Sequence, residues 1–265
     1  MPLADAREPS KKTSRGANAL IVLATVLPVL ARSGGFCEVE TEGETFGPNT
    51  LTFDYLNQVG LPALRKMGIY CWLDQLVAGF GRENYGKVSM EVEPSQIEGI
   101  EWLDRGRMVG CHAMITTSEL PTHVYARGKQ HLENLSHYAG VPIRINHAEV
   151  KGSSPGAAVT LWAEFERGMG GVVQMGSRGL RIETVAQAAF EGISEFLSSD
   201  ATVDNHLCDL ILAPAVFANG PTTFKVHRLT KRLLTIVWVV KQFLPIHLTV
   251  LGEEGQPGTI KIRPS

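Results

Sequence analysis

Hydrophobic positions in the first third of the chain change repeatedly between helical and strand spacing. Residues 19–31, ALIVLATVLPVLA, are apolar nearly all round, which is typical of a buried helix. A glycine turn at 34–35 precedes the alternating strand pattern of residues 36–43. Residues 52–69 then have apolar side chains at helical spacing until Gly68, which predicts a second helix.

Two strands are predicted next, at residues 70–80 and 86–94, around a glycine-containing turn. The polar segment 95–107 predicts a hinge. The order up to this hinge is therefore helix, strand, helix and two strands.

Residues beyond the hinge predict a block with its own sheet and two helices, which can form a separate small domain. Its predicted strands and helices are 108–116, 120–140, 142–150, 157–166 and 182–199. Residues 204–265 then repeat the earlier order of helix, strand, helix and two strands. Such a repeated unit is a fold signal in its own right, and the alternation throughout predicts an α/β protein.

Composition narrows the possible partners. The chain has 265 residues, 44% of them hydrophobic, and a formal net charge of −2. This charge argues against attraction of the whole surface to nucleic acid, so RNA binding would need a local basic patch, and neither DNA nor a membrane is an expected partner. The segment 224–232, FKVHRLTKR, is such a patch, and a solvated strand end without a ligand is the alternative.

The four cysteines are widely spaced and include no CxxC pair. This spacing suits buried thiols in a reducing compartment, which favours a cytoplasmic protein. Residues 10–31 imitate a signal peptide, with a basic start and an apolar run that is too short for a comfortable membrane span. A buried helix is the favoured interpretation because no clean cleavage site follows, and secretion is the alternative.

Several long motifs, taken in order, resemble the RNA 3'-terminal phosphate cyclases. They are GSSPGAAVTLWAEFERG at 152–168, GSRGLRIETVAQAA at 176–189, ATVDNHLCDLILAPAVFANG at 201–220 and HRLTKRLLTIVWVVKQFLP at 227–245. The resemblance covers roughly residues 17 to 262.

The resemblance implies a large domain built from repeated units of two helices on a four-stranded sheet, similar to the C-terminal domain of translation initiation factor three. It implies that residues 1–105 are the first part of this large domain, 106–200 an inserted small α/β domain, and 201–265 the last repeat unit. It also implies that about one repeat unit is missing before residue 17. That unit carries acidic and arginine residues that help to hold metal and triphosphate in the family.

The chemistry implied by the resemblance is ATP-dependent conversion of an RNA 3'-phosphate to a 2',3'-cyclic phosphate, with a divalent metal ion and a histidine–AMP intermediate. The family's histidine lies in a pattern like S/T-x-H-L-L-T-N. This chain reads TKRLLTI at 230–236, so Arg232 occupies the histidine position and the asparagine is lost at Ile236. A guanidinium stays protonated and lacks a free lone pair, so Arg232 can bind phosphate but cannot carry AMP.

A nucleotide site is also implied by the resemblance. His206 stands where the family has an aromatic residue that stacks on adenine, and Asp209 keeps the acidic position of that motif. A surface helix histidine is the alternative for His206. The paired prolines of the opposite wall are replaced by Leu51 and Thr52, while Pro48 remains nearby. The implied nucleotide-binding positions are Ala24, His206, Leu207, Cys208, Asp209 and Leu210.

The basic patch is predicted to bind phosphate rather than to catalyse a reaction, because arginine binds phosphate through a bidentate fork without proton transfer. Its members are Lys225, His227, Arg228, Lys231 and Arg232. The expected ligand is an RNA 3' end.

Two other features favour structural roles. The glycine-rich segment 168–179 has no Walker spacing and predicts a hairpin of the inserted domain rather than a phosphate cradle. His131, His137 and His147 show no metal-ligand register with acidic partners, so we predict no metal site among them.

Two function classes remain open. One is an RNA end-processing ligase of the cyclase family, impaired because Arg232 replaces the nucleophile. The other is a non-catalytic relative that binds RNA or protein in RNA processing or ribosome assembly. Enolpyruvyl transfer, which uses the same repeated unit, is disfavoured because the paired Lys and Arg clusters it needs are not found. Apolar surface on 19–31 further predicts self-association as a homo-oligomer.

Overall fold

The structure is a computed structural model that describes residues 17–81, 85–152 and 154–263. Its helices are α1 (Ala19–Ala31), α2 (Phe53–Tyr55), α3 (Leu61–Lys66), α4 (Thr122–Ala139), α5 (Ile182–Ser198), α6 (Asn205–Val216) and α7 (Lys231–Phe243), with a π-helical segment, Leu56–Gly60, between α2 and α3. Its strands are β1 (Cys37–Gly43), β2 (Cys71–Val77), β3 (Gly86–Val92), β4 (Glu101–Trp102), β5 (Met108–Ser118), β6 (Arg144–Glu149), β7 (Gly156–Phe165), β8 (Gly168–Met175), β9 (Thr222–Val226), β10 (His247–Leu251) and β11 (Gly258–Arg263).

The predicted α/β class and the repeated order of elements are confirmed. The first unit runs α1, β1, α2 to α3, β2, β3, and the last unit runs α6, β9, α7, β10, β11. The middle helix of the first unit differs from the prediction because it contains the π-helical segment. Pro62 lacks an N–H and would clash with the carbonyl four residues earlier, and the N–H of Leu61 bonds to Leu56 instead of following the α-helical pattern.

Each unit has its own sheet. The first sheet has the order β1-β3-β2 and is antiparallel. The last has the order β10-β11-β9-β4, in which β4 runs parallel to β9. Helix α6 contacts both α1 and α3, and one hydrophobic core contains residues of both units.

The prediction of a polar hinge at 95–107 is wrong for its middle part. Ile97, Ile100 and Trp102 are buried in the shared core, and β4 within this segment forms the edge of the last sheet. The sequence pattern did not predict this strand, because it is only two residues long and has charged residues on both sides.

The block between the two units, residues 106–200, is called the insertion below. It forms a sheet of order β6-β5-β7-β8, and α4 and α5 contact it. Strands β7 and β8 pair antiparallel as a hairpin, as predicted for the glycine-rich segment. The strand β8 also contacts the π-helical segment and α2 of the first unit. The insertion therefore lies against the first unit, and the contact brings β8 to the site described below.

Helix α1 is buried on one face only. Leu20, Leu23 and Leu27 are fully buried, whereas Ile21 and Val29 are exposed. The prediction that α1 is a buried helix therefore holds for one face of the helix and not for the other. No helix within the described residues is both long enough and apolar enough to cross a membrane.

Candidate nucleotide site

A cleft of about 330 Å³ lies where the first unit, the insertion and the last unit meet. Its lining consists of the loop 47–51, Tyr55 at the end of α2, residues 172–175 of β8, and His206 in the first turn of α6. The structure thus brings His206 together with Pro48 and Leu51, although about 150 residues separate them in the sequence.

Asn18 and Asp204 fix the two walls of the cleft. The Asn18 side-chain oxygen caps the start of α1, and its Nδ2 donates to the carbonyl oxygen of Leu51 at 2.8 Å, which holds the loop. On the opposite wall, Oδ1 of Asp204 accepts from the backbone N–H groups of His206 and Leu207, so it caps α6 and sets the position of His206.

Asp204 also joins three parts of the chain. Its Oδ2 accepts a 2.6 Å hydrogen bond from the Tyr55 hydroxyl and a 2.8 Å bond from the backbone N–H of Gly171 in β8. Burial raises the pKa of Tyr55 well above its usual value, and the charge of Asp204 raises it further. The phenol is therefore a fixed donor, and its ring forms the floor of the cleft. Sequence reasoning missed Tyr55 and Asp204, whose roles depend on contacts between distant segments.

His206 projects into the cleft from α6. The ring edge of Tyr55 faces it at a centroid distance of 5.8 Å and an angle of 71°. The guanidinium Nη2 of Arg232 lies 3.2 Å from its Nδ1. Because arginine has only donors, Nδ1 must accept this hydrogen bond, which places the ring proton of the neutral imidazole on Nε2.

Arg232 lies in the first turn of α7, whose N-cap is Thr230. Its Nε donates to Oδ2 of Asp209 at 2.5 Å. Burial raises the pKa of Asp209, and the positive charge of Arg232 opposes the rise. The other oxygen of Asp209 is buried and has no hydrogen-bond partner within the described residues. The guanidinium therefore joins the carboxylate of Asp209 to the ring of His206 at one end of the cleft.

Three other basic residues of the predicted patch face acidic side chains. Lys225 pairs with Asp200 at 2.7 Å, and its hydrogen bond lowers the pKa of that carboxyl. His227 and Arg228 both contact Glu195, at 3.3 and 2.8 Å. Only Lys231, among the five, makes no ion pair within the described residues. The patch therefore has two parts. One part lies beside α5, where acidic side chains compensate its charge. The other part, Lys231 and Arg232, lies at the start of α7.

The other residues of the implied nucleotide site lie in or against the shared core. Leu207 and Cys208 are fully buried, and Ala24 and Leu210 pack against the same core at its edge. None of the four lines the cleft. Their assignment to nucleotide binding stays a prediction, and the structure supports only a packing role. Cys71 and Cys111 are also buried free thiols, as predicted, whereas Cys37 is partly exposed.

Within the described residues, no group of three or more His, Cys, Asp or Glu side chains is placed to hold a metal ion. His147 contacts the Thr117 hydroxyl and stacks on Tyr125, and His131 contacts Gln187. These residues do not fit a divalent metal site.

Comparison with known proteins gives a consistent family. The family model described as RNA 3'-terminal phosphate cyclase matches residues 6–250. An RNA 3'-terminal phosphate cyclase of Thermococcus onnurineus is 35% identical over 248 residues, which cover 91% of this chain and 71% of the relative. One from Nostoc punctiforme is 33% identical over 231 residues, covering 87% of this chain and 66% of the relative. The chain thus spans about two thirds of the length of these relatives, and it belongs to the RNA 3'-terminal phosphate cyclase family.

Proposed function

We propose that this chain binds an adenine nucleotide and RNA 3' ends in the manner of its family, but does not form the covalent histidine–AMP intermediate. The observation that carries this proposal is Arg232, which stands at the family's nucleophile position and reaches both His206 and Asp209 at the cleft. The family reaction, ATP-dependent cyclisation of an RNA 3'-phosphate, is accordingly impaired in this chain.

The lining of the cleft supports adenine binding. His206 offers an exposed, flat ring on one side, and Pro48 with Leu51 offers an apolar wall in the same cleft. An imidazole can stack on a base, although it covers less area than a larger aromatic ring. The Arg232 guanidinium donates from Nε to Asp209 and from Nη2 to His206, which leaves Nη1 and the second N–H of Nη2 for contacts with phosphate oxygens.

Two features argue against covalent chemistry here. Arg232 has no lone pair with which to attack a phosphorus atom. His206 is the nearest imidazole, but its Nδ1 accepts from Arg232 and its Nε2 then carries the proton. Neither nitrogen is therefore free to act as a nucleophile in this arrangement.

A second candidate function is a non-catalytic factor that binds a protein partner or a second copy of the chain. The exposed apolar side chains of α7, Trp238 and Phe243, favour it, together with those of α1, Ile21 and Val29. Light scattering should then show that the apparent molecular mass increases with protein concentration.

Buried thiols such as Cys71 and Cys208 suit a reducing compartment, and we infer that the protein works in the cytoplasm.

The test of the first proposal uses the purified full chain with radiolabelled ATP and Mg²⁺. We expect no acid-labile protein–AMP adduct, but saturable binding of a fluorescent ATP analogue. The variant His206→Ala should weaken that binding roughly tenfold through loss of the stacking contact. His131→Ala, which removes an imidazole that is not part of the cleft lining, is the matched control and should bind normally.

The variant Arg232→His extends the test. It should not restore cyclisation of a 3'-phosphorylated oligoribonucleotide, because catalysis needs the metal and triphosphate to be oriented together with the nucleophile. The described residues contain no metal-holding cluster. A stable adduct on the native chain, or cyclic ends formed by Arg232→His, would contradict the proposal.

A further inference from the structure

We propose that a second cavity, at the end of the inserted sheet, takes one nucleotide of a single-stranded RNA whose 3' end lies at the cleft. This proposal rests on the RNA binding proposed above and adds a separate contact site to it. The cavity measures about 740 Å³, more than twice the volume of the cleft, and lies entirely within the insertion.

The floor of the cavity is apolar. Its aliphatic side chains come from the start of α4, the end of the β7–β8 hairpin and the start of α5, and they are Leu120, Val124, Ala157, Leu180, Ile182 and Val185. Leu180 remains substantially exposed at the rim. An aliphatic surface of this kind covers the face of a base and has no polar groups that would require one particular base.

The rim of the cavity is positively charged. Arg178 and Arg181 are exposed there, and neither makes an ion pair within the described residues. The third arginine, Arg127, donates two hydrogen bonds to Glu183, at 2.6 and 2.9 Å, so these two charges cancel. Arg178 and Arg181 therefore leave a net positive charge beside an apolar floor, which is complementary to a nucleotide with its flanking phosphates.

This situation contrasts with the basic patch around β9. There, Lys225 and Arg228 each contact an acidic side chain, which compensates their charge. Around the second cavity, the guanidinium groups of Arg178 and Arg181 have no ion-pair partner in the described part of the chain, so their donors are available to phosphate oxygens. The insertion thus offers a stronger phosphate contact than the segment that looked most basic in the sequence.

Consecutive residues of the chain line the cleft and the second cavity. Residues 172–175 of β8 line the cleft, and the next residues, 176–181, line the cavity. The Gly176 N–H bonds to the Ala157 carbonyl oxygen at 2.8 Å, which keeps this junction in the sheet. Val173 and Arg178 are five positions apart, a distance of at most about 18 Å even when the chain is fully extended. A few nucleotides of RNA are long enough to bridge the two sites.

The experiment measures binding of a fluorescent single-stranded oligoribonucleotide of about ten nucleotides, bearing a 3'-phosphate, to the full chain at several salt concentrations. The double variant Arg178→Ala/Arg181→Ala should bind roughly tenfold more weakly at low salt. The slope of log affinity against log salt should fall in magnitude by about 1.4, since each phosphate contact on a single strand contributes about 0.7.

Two matched variants separate the contributions. Arg144→Ala/Arg263→Ala removes the same charge from exposed positions outside the cavity and should bind within about twofold of the native chain. Leu180→Ala should weaken binding about threefold without changing the salt slope, because it removes apolar contact only. Binding of the fluorescent ATP analogue at the cleft should stay unchanged in all three variants, which also shows that they are folded.

The outcomes distinguish this proposal from the preceding one. If the native chain binds RNA and Arg178→Ala/Arg181→Ala binds it with the same affinity and salt slope, the second site is wrong while RNA binding stands. If the native chain binds no RNA, both are wrong. Full competition by inorganic phosphate at similar concentration would also overturn the proposal, since it would show a small-ligand site rather than a site for an RNA strand.

Discussion

The first and last repeat units place opposite chemistry at equivalent positions. In both, a threonine caps the second helix, Thr52 before α2 and Thr230 before α7. The second residue of that helix is Asp54 in the first unit and Arg232 in the last. Asp54 is 5% exposed, whereas the side chain of Arg232 is 51% exposed. The same local geometry therefore holds a buried acid in one unit and a solvent-accessible base in the other.

The insertion explains the difference. Its strand β5 covers the start of α2, and the Thr116 hydroxyl donates a 2.5 Å hydrogen bond to the Asp54 carboxyl. The hydrogen bonds of the Arg232 side chain within the described residues go instead to Asp209 and His206 of α6. The repeated unit thus supplies a helix start, and the neighbouring element decides whether that start becomes part of the interior or part of a binding site.

The largest expected effect comes from exchanging the two charges. Asp54→Arg would bury a cation with no partner, so we expect a loss of about 4 kcal/mol in the free energy of unfolding, or failure to fold. Arg232→Asp should cost at most about 2 kcal/mol, because the position is half exposed and solvent screens the new charge. Thermal or urea unfolding measures both.

Asp54→Asn serves as the control for the exchange, since it keeps the size and the acceptor of the Thr116 hydrogen bond. It should remain within about 1 kcal/mol of the native chain at pH 5. Equal destabilisation by Asp54→Arg and Arg232→Asp would contradict the expectation that a reversed charge costs more at the buried position than at the exposed one.

The pH dependence of stability should also differ between the units. Burial raises the pKa of Asp54 to about 6 from its ordinary value of 3.8, although the Thr116 hydrogen bond opposes the shift. The folded state therefore holds a proton that the unfolded state has released. This contribution to stability is fully present below about pH 4 and is lost as the pH rises through about 6.

The size of that loss is on the order of 3 kcal/mol. Asp54→Asn should remove it, so the difference in unfolding free energy between the native chain and this variant should change by about that amount from pH 4 to pH 7. Parallel curves for the two proteins over this range would contradict the assignment of the shift to Asp54.

The smallest expected effect concerns the pair at the cleft. Arg232→Ala should push the pKa of Asp209 further upward, because the positive charge of Arg232 now opposes the effect of burial. The cost in stability should be about 0.5 to 1 kcal/mol for this partly exposed pair. Nuclear magnetic resonance titration of the carboxyl carbon measures the pKa directly. Arg228→Ala, which breaks a pair with the exposed Glu195, should leave the pKa of Asp209 unchanged.

The order of elements could be predicted from the sequence because hydrophobic spacing is a local signal. Helices α1 and α6 begin within one residue of the predicted starts, 19 and 204. Each of α1, α6 and α7 has a side-chain cap, Asn18, Asp204 or Thr230. The positive φ of Gly68, 78°, likewise agrees with the predicted end of the second helix. A Cβ there would also lie 2.6 Å from the backbone oxygen of Gln96, so both the turn and the close approach need glycine.

The electrostatic environment of the basic patch could not be predicted in this way. Its acidic partners, Glu195 and Asp200, come from the end of α5 and the loop after it, 25 or more residues away. The same limit applies to Asp54, whose hydrogen-bond partner is 62 residues distant. Spacing along the chain carries no signal for such contacts, because they depend on how the insertion lies against the two units. Only the family resemblance predicted that His206 and Leu51 lie on opposite walls of one site.

The two-residue strand β4 has a consequence for the order of folding. Its residues pair with Thr223 and Phe224, about 120 positions later, so the last sheet cannot be completed until nearly the whole chain has been synthesised. Closing so long a loop is slow when the intervening chain is unstructured. The insertion shortens this loop, because Arg105, just before its first residue, donates a 2.8 Å hydrogen bond to the carbonyl oxygen of Leu197 near its end. An insertion that folds first would therefore hold β4 close to β9. The rate at which the last unit folds would then depend on how early the insertion folds.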